Sequence, residues 1–227
     1  MINFQVGASR RCGVVAIGAL LLAGCSGGGG FGESVRFTAR DQTRVDELIS
    51  HGERLDVPQA MPFSVAEAQR ASTGDGESDS VASPGGTARC HAALTKTGTG
   101  SADFQLGHIL YSAESAPLEV TVTCDCEFSY ELQRGEGVAP DFVSLKFYVK
   151  DSNRSVLRRE VFVAPEGDLG AARHASHESL SFNITLEPDR AYQLVLAGRV
   201  AVSGEDSPAP VAATVEVTQF TITVAAR

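Results

Sequence analysis

The sequence predicts an all-β fold, an antiparallel β-sandwich, on three observations. In residues 118–132 every even position is apolar or a cysteine (Leu118, Val120, Val122, Cys124, Cys126, Phe128, Tyr130, Leu132) and every odd one is polar. Successive side chains of a strand point to opposite faces, so this stretch is a strand with one face in a core and one in water; a helix would scatter the same residues around its axis. The pattern recurs downstream at Val143, Leu145, Phe147 and Val149, at Leu180, Phe182, Ile184 and Leu186, and at Tyr192, Leu194 and Leu196. Strands never alternate with helical stretches, so the sheets are expected to be antiparallel, with a second sheet covering the apolar face of the first.

Taken in order, the chain of 227 residues begins with an address. Arg10 and Arg11 precede an apolar run over residues 14–23, too short for a permanent span and of the length of a secretory h-region. The run ends in Leu22-Ala23-Gly24-Cys25, which resembles the lipobox of bacterial lipoproteins. The resemblance implies a signal peptide over residues 1–24, cleavage after Gly24 and a lipid anchor on Cys25. Acyl chains contribute about 0.8 kcal/mol per buried methylene, so several of them hold a domain on a membrane without a spanning helix. Ser26 stands where the same family carries Asp to retain a protein at the inner membrane, which favours an outer membrane. Ser9-Arg10-Arg11 also resembles a twin-arginine start, but Cys12 and Gly13 depart from it and the general secretory route is preferred.

Residues 25–34 follow as a lipidated cysteine and glycine-rich tether. Residues 35–71 are expected to hold short helices, one opening at Thr43 and closing at Gly52, the other opened by the capping box Ser64-Val-Ala-Glu67. Residues 72–86 are polar, acidic and glycine-rich, and are expected to be a disordered linker, so the β-domain is placed at residues 87–227. Within it, residues 90–95 and 103–111 are strands ahead of the one at 118–132, residues 143–149 and 155–163 form a hairpin around Asp151-Ser-Asn153, and the last strand shifts phase between Val217 and Phe220, as a β-bulge near Gln219 does.

Leu186-Glu-Pro188-Asp-Arg-Ala-Tyr192-Gln-Leu194 resembles the corner of fibronectin type III and other immunoglobulin-like sandwiches, where a tyrosine phenol hydrogen-bonds backbone between the sheets. The resemblance implies that residues 118–132 are strand B, the hairpin C and C′, residues 180–186 strand E, 191–203 strand F and 214–224 strand G. The family's core tryptophan is missing, and a jelly-roll-like sandwich stays open.

Once Cys12 leaves and Cys25 is lipidated, Cys90, Cys124 and Cys126 remain in an oxidising compartment. One disulfide is expected, joining Cys90 to Cys126 or Cys124, with one spare thiol acting as a small buried hydrophobe. His174 and His177 lie in the expected loop 165–178 with Asp168 and Glu178; these are the residues that would hold zinc or copper, against the alternative of a solvated loop. Glu119, Asp125, Glu127 and Glu131 share the outer face of strand B, either as calcium ligands or as a face that keeps the sheet soluble.

A formal charge of -9 without a basic patch argues against nucleic acid. There is no Gly-x-Ser-x-Gly elbow, His-Glu-x-x-His or Cys-x-x-Cys, so no enzyme activity and no cofactor are expected. The function read from the sequence is a lipid-anchored envelope protein acting through contact with an envelope protein partner. A metal- or glycan-binding lipoprotein and an envelope hydrolase are the alternatives.

Overall fold

In the computed structural model, residues 43–44, 54–59, 62–112, 115–135, 138–151, 155–163 and 172–227 are described. The strands among them are β1 (Thr43–Arg44), β2 (Arg54–Val57), β3 (Val65–Ser83), β4 (Thr87–Ser112), β5 (Leu118–Gln133), β6 (Phe142–Lys150), β7 (Ser155–Val163), β8 (Ala172–Leu186), β9 (Arg190–Gly204) and β10 (Val211–Ala226). The protein is all-β. Its strands join one antiparallel, curled sheet in the order β7-β6-β9-β4-β10-β5-β8, with β3 on β4, β2 on β10 and a short parallel pairing of β1 with β4.

Strand β4 is the pivot, because its two halves have different neighbours. Residues from Ala88 to Leu94 pair with β10, and those from Gly98 to Ser112 pair with β9. Strand β3 follows it round the bend and slips register between Gly74 and Gly76. Gly74 and Gly98 both have positive φ there, and a Cβ on either would come within 2.3 Å or 2.1 Å of a carbonyl oxygen across the hairpin. Only glycine fits such a close approach of two backbones.

The curl turns the two halves face to face. Phe147 of β6 meets Phe182 of β8 at 5.5 Å and Phe220 of β10 at 6.3 Å between ring centroids, and both halves feed one apolar core. On β5 the even series from Val120 to Phe128 is buried and the odd series is half-buried or exposed, as alternation predicts. Gly198 of β9 belongs to the inward series because the Phe104 ring of β4 lies over it, 2.3 Å from where a Cβ would stand. The expected bulge is present: the β10–β5 register shifts between Val217 and Gln219. The β8–β9 turn crosses from one half of the sheet to the other, and there the Glu187 N–H donates to the Tyr192 hydroxyl at 3.1 Å.

Several expectations are corrected. Residues 65–71 are strand, not helix, and Ser64 stands just ahead of it: the Ser64 hydroxyl accepts from the Ile109 N–H and the Ser64 N–H donates to His108 Nδ1, so the capping box spends its serine on β4. A local helix signal is a weak prior when a neighbouring strand offers every backbone group a partner. The segment expected to be disordered, residues 72–86, is the end of β3 and its turn, and it is held by ladder bonds rather than by apolar burial. Arg70 and Arg89 both bridge to Asp79 across this arm, at 3.1 and 3.7 Å. The boundary expected at Thr87 therefore falls inside a hairpin; Phe31–Arg227 form one compact unit. Residues 90–95 and 103–111 belong to one strand, β4. Of the other expected helix, Thr43 and Arg44 are β1, and residues 45–53 lie outside the described residues.

Candidate functional site

The three cysteines all sit on core-facing positions and are free, buried thiols; the expected disulfide is not formed. Register explains why. Cys90 pairs with Val215, and Val215 pairs on its other side with Tyr130, so β10 lies between Cys90 and β5. Two strand spacings are about 9.5 Å, beyond the ~7 Å Cα separation that a disulfide spans, before the offset along β5 to Cys126 is added. Burial pushes all three thiols up, Cys126 to about 12, with Glu178 and Glu127 adding to the effect. Thiols held protonated and away from water are packing groups rather than nucleophiles.

His174 and His177 are not on a loop. They belong to β8, which runs from Ala172, where they are opposite Tyr130 and Glu127 of β5. Three residues apart on a strand, the two imidazoles point to opposite faces. His174 lies 5.6 Å from the Tyr130 ring, and Glu178 shares its parity rather than that of His177. Ser176 Oγ donates to Glu178 Oε1 at 3.4 Å. Asp168 lies outside the described residues, and among those described no three His, Cys, Asp or Glu side chains come together as metal ligands. Cys25, the expected anchor, also lies outside them.

Glu119, Asp125, Glu127 and Glu131 do share the outer face of β5, and they alternate there with hydroxyls. The Thr121 hydroxyl donates to Asn183 Oδ1 at 2.9 Å, and Thr123 and Ser181 hydroxyls are 3.3 Å apart, so β8 continues the same polar surface. On the other side β10 adds Thr214, Glu216, Thr221 and Thr223. This face is mostly solvent-exposed along β8, where Arg173 stands opposite Glu131 and His177 opposite Glu127, and Arg89 of β4 stands opposite Glu216.

Beside the β10 bulge is a hollow of about 160 Å³ lined by Arg54, Asp56, Gln59, Asp125 and Gln219. Its guanidinium is already engaged: Arg54 bridges to Asp56 at 2.6 Å and donates to the Thr223 hydroxyl at 2.9 Å, which itself donates to Asp56 at 3.0 Å. A second, open depression of about 530 Å³ runs past Glu127, Arg173, His177 and Glu216. Both are depressions in the outer sheet face, suited to side chains of a partner surface rather than to enclosing a small molecule.

His108 was not singled out from the sequence, although its place in the series Phe104, Leu106, His108, Leu110 carries the signal. It is buried, desolvation lowers its pKa to about 4, and its Nδ1 accepts from the Ser64 N–H at 3.2 Å. The neutral ring thus ties the residue that leads into β3 to β4 inside the fold.

This is a curled, antiparallel all-β domain with one broad polar face. No protein-family model and no curated protein match the chain. A solved structure described as "Structure of infectious bursal disease virus Gx strain" is similar at 12% identity and a TM-score of 0.24, covering 72% of this chain and 37% of that one. The chain thus spans little more than a third of that protein, and a likeness so weak carries no argument about fold or function.

Proposed function

We propose that this chain is a lipid-anchored protein of the bacterial envelope, seated in the outer membrane through Cys25, whose β-domain works without catalysis by contact with another envelope protein. The anchor rests on the ordered leader of Arg10-Arg11, apolar run and Leu22-Ala23-Gly24-Cys25. The contact role rests on one observation, the continuous polar face of β8, β5 and β10, with its carboxylates at Glu119, Asp125, Glu127 and Glu131. A partner fitted to it carries Lys and Arg in matching positions, because charge complementarity across an interface sets orientation and on-rate.

For the kind of sandwich, we favour an immunoglobulin-like core. The Tyr192 corner, the β6–β7 hairpin, the β5–β8 pair and the β6–β9 pair are in keeping with strands B, C, C′, E and F. The departure is at the ends: β10, expected as strand G beside F, pairs with β5 and β4, and β4 takes the place next to β9. A jelly-roll-like sandwich is the alternative.

Fractionation tests the anchor: Cys25→Ala should move the protein from the membrane to the soluble fraction. Carbodiimide cross-linking in intact envelopes tests the face. A discrete adduct should form with the native chain and be lost when Glu127 and Glu131 are changed to Lys; an adduct indifferent to these changes rules this face out.

A further inference from the structure

Strand β8 stands at one end of the sheet order, paired with β5 along one edge and, among the described residues, with no strand along the other. Its first part is open on both faces: residues 173–179 are exposed, apart from half-buried Ser176. Such an edge presents a row of backbone N–H and C=O groups that water or another strand must satisfy, and natural edges are defended by acids, bends and bulges. The other long edge, β3, shows that defence, with a register slip between Gly74 and Gly76 and acids at Asp75, Glu77 and Asp79. Strand β8 instead keeps one unbroken register with β5 from Ala172 to Leu186.

We propose that β8 takes a second copy of this chain along this edge, antiparallel and about a two-fold axis at Ser176, so that two domains share one continuous sheet. Charge complementarity selects both the occupant and the register. A two-fold perpendicular to the sheet keeps outer faces outer, so residues opposite one another have the same parity. Centred on Ser176, the opposed pairs are His174 with Glu178, Arg173 with Ser179, and Ala175 with His177. The first pair occurs twice by symmetry and sets an imidazole N–H opposite a carboxylate. That carboxylate forms no ion pair among the described residues; its Oε1 accepts from the Ser176 hydroxyl of the same strand at 3.4 Å. Neighbouring registers set like against like. Sliding the copies by two residues places Arg173 against His177 in one direction and His177 against itself in the other; sliding by four places Glu178 or His174 against itself. The pairing uses the edge of β8 and leaves the outer face of β8, β5 and β10 open, so it is independent of the contact proposed for that face.

Sedimentation of the full chain in mild detergent tests this. The native chain should run at twice the protomer mass and Glu178→Lys at the protomer mass. Adding His174→Glu to Glu178→Lys should restore the dimer, because the swap rebuilds the opposed pair. A native chain at the protomer mass, or a dimer that Glu178→Lys leaves intact, would overturn the proposal. Where a charge variant fails to fold, cysteine cross-linking decides. Cα atoms opposed across an antiparallel pair lie about 4.5–5.5 Å apart, within the roughly 4.4–6.8 Å that a disulfide spans, so oxidation should link two copies of Ser176→Cys. The two copies of Ser179 stand on the order of 20 Å apart along the pair, so Ser179→Cys should stay unlinked. No link in Ser176→Cys, or equal links in both variants, contradicts a two-fold at Ser176.

Discussion

The outer face of the β10-β5-β8 half and that of the β4-β9-β6 half are built on the same pleat yet meet different surroundings. On the first, Thr121, Thr123, Asp125 and Glu127 stand toward water, and an alternating sequence records the fact. On the second, Tyr148, Val195 and Ile109 are as buried as the core they back onto. A strand covered on one side reads with a period of two, and a strand covered on both loses that period. One domain therefore contains a half-buried sheet and a fully buried one, joined at the bend of β4.

The largest expected effect separates these faces directly. Val195→Asp places a charge where none can be solvated and should cost roughly 3–5 kcal/mol in urea unfolding, by analogy with an uncompensated buried ion. Thr123→Asp, on the exposed face, should stay within about 0.5 kcal/mol. Equal costs at the two positions would erase the distinction.

Acidification probes the second half from its core side. The His108 imidazole is held at about 4, below its ordinary 6.5, so the unfolded chain binds a proton that the folded chain refuses. Its contribution is complete above pH 6.5 and is lost as pH falls toward 4, to a total of roughly 3 kcal/mol. The urea midpoint should fall over that range, and the slope should flatten in His108→Leu; an unchanged slope would contradict the buried, neutral ring.

A smaller effect is expected at Gly198. An alanine there meets the Phe104 ring and must displace it, an overpacking cost of about 1–3 kcal/mol. Thermal unfolding of Gly198→Ala measures it, and Phe104→Leu combined with Gly198→Ala should recover part of the loss.

The same contrast decides what was legible in the sequence. Strand β5, the β6–β7 hairpin, the bulge before Gln219 and the Tyr192 corner were readable, because alternation and turn chemistry are local signals. Strand β3 was not: its serine, acids and glycines carry no apolar face, and its structure comes from pairing with β4. The disulfide expected at Cys90 depended on which strand separates it from β5, and strand order is not written in either strand. His174 and His177 were read as loop residues because β8 starts earlier than its apolar series, in residues exposed on both faces.

The most direct test of the proposed envelope protein is the intact mass of the chain extracted from membranes, followed by alkylation before and after unfolding. The account predicts an N-terminal peptide that begins at Cys25 and carries acyl chains. It also predicts no alkylation of Cys90, Cys124 or Cys126 in the folded protein and three alkylated thiols after unfolding without reductant. An unacylated Cys25, or a thiol count that reveals a disulfide among these three, would contradict it.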